Sequence, residues 1–206
     1  MMWTSIILAG GASRRMGQPK ALLSIENKTM VERLVDLLRP FSSVVVIVVR
    51  EQEQETISAL LQKETAVHIV TDDPRYKGEG PLAGMYTGMK TAPAQSYFVC
   101  ACDMPCLDGD YLQGLKQFIQ DKPGYEAYVP FAGGQYQPFA AVYGELAAEI
   151  EGLLQRSRKR WIDLFSVLKN GYLIPEEEWR SWTKQPDPFF NMNTPEDYKR
   201  MRSGWV

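Results

Sequence analysis

The chain has 206 residues, 45% hydrophobic, 23% charged and 11% aromatic, a composition that builds one sizeable core and excludes a disordered or fibrous chain. Lys plus Arg number 23 and Asp plus Glu 25, for a net charge of −2. No global basic field is present to hold nucleic acid, so a small-molecule partner is expected. The single histidine, His68, excludes a two-histidine metal site and leaves one imidazole for any catalytic triad.

Short apolar runs alternate with helical patterns along the chain. Residues 5–8 read as a buried strand, and Thr29-Met30-Val31-Glu32 as a capping box. Val31, Leu34, Val35 and Leu38 then fall at helical spacing up to Pro40. The β-branched run 44–49 predicts a strand covered on both faces. A polar helix over 53–61, a strand over 67–70 and a helix opened by Gly80-Pro81 follow. In that helix Leu82, Met85, Tyr86 and Met89 share a face, which makes the methionines core residues. A strand over 97–101 and a helix over 108–120 complete a β-α-β-α order, which predicts a mostly parallel sheet with helices on both faces. Past Pro123, strands over 127–131 and 137–142 flank the turn residues Gly133-Gly134. Helices over 145–154 and 161–168 come next, and Thr194-Pro195-Glu196-Asp197 caps a last helix. No linker separates the two halves, so one domain over 1–206 is expected. His68, between Val67 and Ile69, reads as a structural histidine.

Cys100, Cys102 and Cys106 form an odd, clustered set that is a poor disulfide framework and suggests a reducing compartment. They read as small buried apolar side chains rather than zinc ligands. No run approaches the ~18 apolar residues of a membrane span, and the N-terminal run is too short for a signal peptide. A cytoplasmic protein without membrane or nucleic-acid partners is expected.

Four stretches carry chemistry. Leu8-Ala9-Gly10-Gly11 passes directly from the first strand into a loop with Arg14, Arg15 and Lys20. Glycines give backbone amides access to phosphate oxygens, and cations neutralise them. The spacing matches neither a P-loop nor a dinucleotide fingerprint. Asp103, in Cys102-Asp103-Met104-Pro105, lies just past a buried strand, where one carboxylate suits Mg²⁺; its alternative role is a helix cap. Gly80 opens a helix whose N-terminus can face a nucleotide base, and Asp72-Asp73 precede it as acceptors for a base or ribose. Asn191 and Asn193 point the same way on an extended segment, with amides fit for metal or phosphate.

In this order and spacing, together with Gly80-Pro81-Leu82-Ala83-Gly84 and Asn191-Met192-Asn193-Thr194-Pro195, these motifs resemble the molybdenum cofactor guanylyltransferase family. The resemblance runs from Ile6 to about Tyr198. It implies a three-layer, Rossmann-like GT-A nucleotidyltransferase fold with a mostly parallel, mixed central sheet. It also implies transfer of GMP from GTP to the terminal phosphate of molybdopterin or its molybdenum-loaded form. By resemblance Leu8, Ala9 and Gly10 hold GTP, Lys20 contacts its phosphates, Asp73 contacts the guanosine and Asp103 binds Mg²⁺. Gly11 and Gly80 complete the expected GTP set, and Lys20, Asp103 and Arg15 the catalytic set. Where the best-known members carry an asparagine after the second strand, this chain has Arg50, and its role is left open.

The acceptor brings its own phosphate. Arg156, Arg158, Lys159 and Arg160 form a basic cluster before Trp161, read either as a solvated connector or as the seat of that phosphate. Arg158 and Arg160, with Asn191 and Asn193, form the expected molybdopterin-binding set. Residues 1–120 are then the nucleotide-binding half and 121–206 the acceptor-binding half. Recipient molybdoenzymes and other cofactor-biosynthesis proteins are the expected protein partners. The alternatives are a cytidylyltransferase of the same cofactor, another small nucleotidyltransferase, and a nucleotide-binding adaptor on the same fold.

Overall fold

The structure is a computed structural model, described over residues 2–11 and 16–203. β1 (Trp3–Leu8) leads through a 3-10 turn at Lys20–Leu22 into a small hairpin, β2 (Ser24–Ile25) and β3 (Lys28–Thr29). α1 (Met30–Leu38) starts at the expected capping box, in which Glu32 Oε2 accepts from the Thr29 backbone N–H at 2.8 Å. β4 (Ser42–Val49), α2 (Glu51–Leu60), β5 (Val67–Thr71), α3 (Pro81–Thr91), β6 (Ser96–Ala101) and α4 (Gly109–Asp121) follow. The second half holds β7 (Ala127–Ala132), β8 (Gln135–Tyr136), β9 (Ala140–Gly144), α5 (Ala147–Gln155), α6 (Trp161–Phe165), β10 (Gly171–Ile174), α7 (Glu176–Trp179) and α8 (Pro195–Arg202).

One sheet takes strands from both halves, in the order β10-β7-β9-β6-β1-β4-β5, with β8 paired to β7. β9 runs antiparallel to β6 and β7; the other neighbours along this path are parallel. The period of two divides the strands between two cores. Ile7, Val45, Ile47, Phe98 and Cys100 pack with α1, α4 and Trp179 on one face. Ile6, Val46, Val48, Tyr97 and Val99 pack with α3 and α5 on the other. Helix, sheet and helix thus form the three layers implied by the motifs. On the second face α3 lies close against β1: a Cβ at Gly84 would sit 2.8 Å from Leu8 Cδ2, and one at Gly88 2.7 Å from Ile6 Cγ2. That close approach fixes where the N-terminus of α3 meets the strand ends.

Several boundaries differ from the sequence reading, for local reasons. The strand expected over 137–142 starts only at Ala140 and runs on to Gly144, because Pro138 has no N–H for a ladder. β8 ends at Tyr136 and β9 begins at Ala140. The helix expected to reach 168 ends at Phe165, where Ser166 Oγ donates to the Asp163 carbonyl at 2.7 Å. β10 and α7, between Asn170 and the 3-10 turn at 180–182, lie in a region without an expected element. His68 is exposed rather than structural, because β5 is the edge strand. Cys100, Cys102 and Cys106 are free and buried. Burial pushes the Cys102 thiol up to about 12 and that of Cys106 to about 11. Among the described residues no three His, Cys, Asp or Glu side chains cluster as a metal site, and no helix is long and apolar enough to cross a membrane.

Candidate active site

The carboxyl ends of β6, β1, β4 and β5 open onto one cleft of about 910 Å³, at the edge where open α/β sheets bind ligands. At the β6 end, Cys102 and Met104 are buried and hold the bend that turns Asp103 into the cleft. The Cys102 N–H donates to the Leu8 carbonyl at 3.1 Å, and the Asp103 carbonyl accepts from Met192 N–H at 2.9 Å. Asp103 does not cap α4; Asp108 does.

Lys20 opens the 3-10 turn whose Ala21 is buried, followed by buried Leu23, so the turn is seated on the core. Its Nζ donates to Asp103 Oδ2 at 2.7 Å and to Asn193 Oδ1 at 2.6 Å. The Lys20 and Asp103 side chains are only 15% and 16% exposed, so their attraction is less screened than that of a surface pair. Asp103 Oδ1 is buried and has no hydrogen-bond partner among the described residues.

Asn193 is delivered by a packed segment. Met192 is fully buried with Leu23, Ile25 and Met30, and Tyr198 packs against them. Burying that one methionine contributes about 1.5–3 kcal/mol. The Tyr198 hydroxyl also donates to the Ser24 carbonyl at 2.8 Å. The two asparagines part company: Asn193 lines the cleft, whereas Asn191 Nδ2 turns back to donate to the Phe189 carbonyl at 2.9 Å.

Leu8, Gly10, Gly11 and Gly80 also line the cleft. A Cβ at Gly10 or Gly11 would meet nothing within 4 Å, so packing by the described residues does not demand glycine there. Gly80 caps α3 at φ 83°, a left-handed backbone that favours glycine. Ala9 is buried and supports the loop from below, its N–H donating to the Val48 carbonyl at 2.8 Å. Arg14 and Arg15 lie outside the described residues.

The two acids after β5 separate. Asp73 does not line the cleft. Its Oδ1 accepts from the Arg75 backbone at 2.9 Å and its Oδ2 from Arg75 Nη2 at 2.9 Å, and these bonds hold its pKa low. Arg75 in turn donates to Tyr86 and Glu151, each at 2.8 Å. Asp72 is the acid that lines the cleft; burial pushes its carboxyl up, against the Gly78 N–H it accepts at 3.3 Å. The expectation for Asp73 thus meets a side chain already engaged, and the preceding residue takes the cleft position. Arg50 and Phe139 line the cleft as well. Arg50 had a signal in the sequence, its place directly after a buried strand; Phe139 had none.

The basic cluster sits beside the cleft mouth, where the Lys159 carbonyl approaches a Cβ built at Gly80 to 4.0 Å. Arg158 pairs with Asp163 at 3.0 Å and donates to Ser166 at 3.2 Å. Lys159 pairs with Glu79 at 2.5 Å. The Arg160 side chain is 80% exposed.

Comparison with known proteins bears on the family and the fold. The sequence pattern of the MobA-like NTP transferase domain matches residues 5–169. The chain is 32% identical to a protein of Bacillus cytotoxicus named "Probable molybdenum cofactor guanylyltransferase", over 95% of this chain and 94% of that one. A Bacillus cereus protein of the same name is 34% identical over the same shares. Among solved structures, a molybdopterin-guanine dinucleotide biosynthesis protein A from Archaeoglobus fulgidus superposes with a TM-score of 0.79 at 28% identity, covering 97% of each chain. A nucleotidyl transferase from Methanothermobacter, at 19% identity and a TM-score of 0.71, shares the fold. The chain belongs to the MobA-like NTP transferase family, as its motifs implied, and is a nucleotidyltransferase.

Proposed function

We propose that the chain transfers GMP from GTP to the terminal phosphate of molybdopterin or its molybdenum-loaded form, giving the guanine dinucleotide cofactor and pyrophosphate. The observation that carries this reading is the convergence of Lys20, Asp103 and Asn193 within hydrogen-bond distance beside the Gly10-Gly11 loop. The names of the Bacillus and Archaeoglobus relatives support the choice of substrates.

The nucleophile is an oxygen of the acceptor phosphate, largely dianionic at neutral pH because its second pKa is about 6. No protein general base is needed, and no histidine lines the cleft. A bond forms from that oxygen to the α-phosphorus of GTP, and the bond to the bridging oxygen breaks. Pyrophosphate leaves with the electron pair. The difficulty is charge, so the protein's work is in-line positioning and neutralisation. Lys20 supplies a cation at the phosphate end, with Arg15 assigned beside it from the motif. Gly10 and Gly11 leave room for backbone N–H groups to reach phosphate oxygens.

The residues present fit Mg²⁺. Asp103 Oδ1 is a buried oxygen without a partner among the described residues, and one carboxylate plus substrate phosphates is a usual set for this ion. Asp103 would hold it, and bound there it supplies Lewis-acid neutralisation of phosphate charge. On the acceptor side, Arg160 and the neighbouring basic residues stand at the cleft mouth, and Asn193 reaches the phosphate end. The product has to be handed on, so recipient molybdoenzymes and other cofactor-biosynthesis proteins are the partners that fit, in a cytoplasmic setting.

The test is pyrophosphate release from GTP, CTP, ATP and UTP, with and without molybdopterin and Mg²⁺. Release is expected only when GTP, acceptor and metal are all present. Preference for another nucleotide, or release independent of acceptor, overturns the assignment.

A further inference from the structure

The end of the cleft formed by β4 and β5 holds a charged pair, a buried glutamate and a half-buried arginine, that phosphate chemistry does not use. Glu53, in the first turn of α2, is 3% exposed. Its Oε1 accepts from Arg50 Nε at 2.9 Å and from Arg50 Nη2. A carboxylate buried this deeply costs several kcal/mol unless it is paired, so the pair is held together wherever the fold is intact. Arg50 is the cap residue of α2, stands where β4 ends, and lines the cleft. Glu53 takes up Nε–H and one Nη2 hydrogen; two Nη1 hydrogens and one on Nη2 remain. The guanidinium is therefore a fixed plate of donors rather than a mobile charge.

Asp72 follows directly on β5, the strand beside it, and is half-buried in the lining of the same cleft. Asp103 and Asp72 stand at the ends of β6 and β5, three strand spacings apart in the order β6-β1-β4-β5. At ~4.8 Å per spacing that is roughly 14 Å. A ligand with its phosphates at Lys20 and Asp103 and laid along the strand ends therefore brings its base to Arg50 and Asp72.

Building on the guanylyl-transfer reading, we infer that Arg50, fixed by Glu53, and Asp72 together select the base. The guanidinium donates to O6 and N7 of guanine, and the Asp72 carboxylate accepts from its N1–H and amino edge. The two side chains offer donors and acceptors in the complementary order. Adenine puts an amino group where guanine has O6, so donors face donors, and it lacks the N1–H. Arg50 is a contact residue in this arrangement and Glu53 a positioning residue. Burial pushes the Asp72 carboxyl up, so its charged form gains from donors that a base brings.

The test is equilibrium binding of GTP, 7-deaza-GTP and ATP, each with Mg²⁺, to the full chain and to Arg50→Ala and Glu53→Gln variants. 7-Deaza-GTP differs from GTP only in lacking the N7 acceptor. The unmodified chain is expected to bind it about tenfold more weakly than GTP, and ATP more weakly still. Arg50→Ala should weaken GTP by about tenfold and bind GTP and 7-deaza-GTP alike. Glu53→Gln should narrow the same gap, an outcome that a merely structural role for Glu53 would not produce. Equal binding of GTP and 7-deaza-GTP by the unmodified chain, or an undiminished gap in Arg50→Ala, overturns the inference while the transfer reaction stands. Failure of the unmodified chain to bind GTP overturns both.

Discussion

The cleft and the basic loop beside it both concentrate charge, yet they use it differently. In the cleft one lysine faces one aspartate and one asparagine drawn from distant parts of the chain, and the lysine and aspartate side chains have little exposure to solvent. In the loop, Arg158 and Lys159 pair with Asp163 and Glu79 at the surface, and Arg160 stands mostly in water. The first arrangement holds its charges against a desolvated wall, where each is worth more. The second is screened and contributes little to stability. A count of cations ranks the loop above the cleft, whereas burial and partners reverse the order.

The comparison is broken most sharply at Asp103. Asp103→Ala is expected to reduce turnover by about a thousandfold or more, several kcal/mol of transition-state stabilisation. The fold should stay intact, because the buried neighbours and the main-chain bond to Met192 remain. Steady-state turnover beside a thermal melt checks this; full Mg²⁺-dependent activity in the folded variant would remove Asp103 from the site. Next comes Lys20→Ala, with an expected loss of about 10²–10³ in kcat and a smaller rise in KM for GTP. A rise in KM alone would make Lys20 a ground-state binding residue.

On the loop the clean probe is Arg160→Glu, since Arg158 also braces α6 through Asp163 and Ser166. It should weaken molybdopterin binding by about tenfold, the scale of one lost charge-assisted contact, and leave GTP binding nearly unchanged. Separate titrations decide; unaltered molybdopterin affinity returns the loop to a solvated connector.

The smallest effects come from the adjacent acids after β5, and they have opposite signs. The Asp72 carboxyl is pushed up by burial, so its ionised form disfavours folding above the folded pKa, and the penalty vanishes below the unfolded value of about 3.9. Asp72→Asn should therefore raise Tm at pH 7 by roughly 1–3 °C, a gain that disappears in acid. The Asp73 carboxyl is held low by Arg75, so it favours folding above about pH 3.9 and loses that contribution as pH falls through its folded pKa. Asp73→Asn should lower Tm slightly at pH 7, discounted because Arg75 is largely exposed. Melts of both variants across pH 3–8 give the signs, and like signs would contradict the separation of the two side chains.

Much of this was legible in the residues. The β-branched run of β4, the capping box at Thr29, the helix cap at Thr194 and the Gly80-Pro81 helix start are local signals, and the structure follows them. Lys20 and Asp103 were legible because glycine-rich access, cations and a strand-end carboxylate are specific in combination. Which of two neighbouring acids faces the cleft was not legible. That depends on Arg75 reaching both Asp73 and Glu151, a contact set by how α3 and α5 pack. The same holds for Asn191 and Asn193, whose fates differ because Asn193 accepts from Lys20, 173 positions away, whereas Asn191 folds back on the Phe189 carbonyl. β10 was hidden because four residues on a sheet edge carry too short a pattern.

The Lys20–Asp103–Asn193 knot has a consequence for the order in which the protein is made. Its members stand 83 and 173 positions apart in the chain, and the last of them lies beyond the residues matched by the family pattern. A ribosome releases Lys20 and Asp103 long before Asn193, and sheet strands β1, β4, β5 and β6 can pair meanwhile. The nascent chain therefore carries a nucleotide cleft whose cation is not yet held on both sides. Only when Met192 settles between the hairpin and Asp103 is this cluster whole, so it is completed after the strands that frame it have been made rather than together with them.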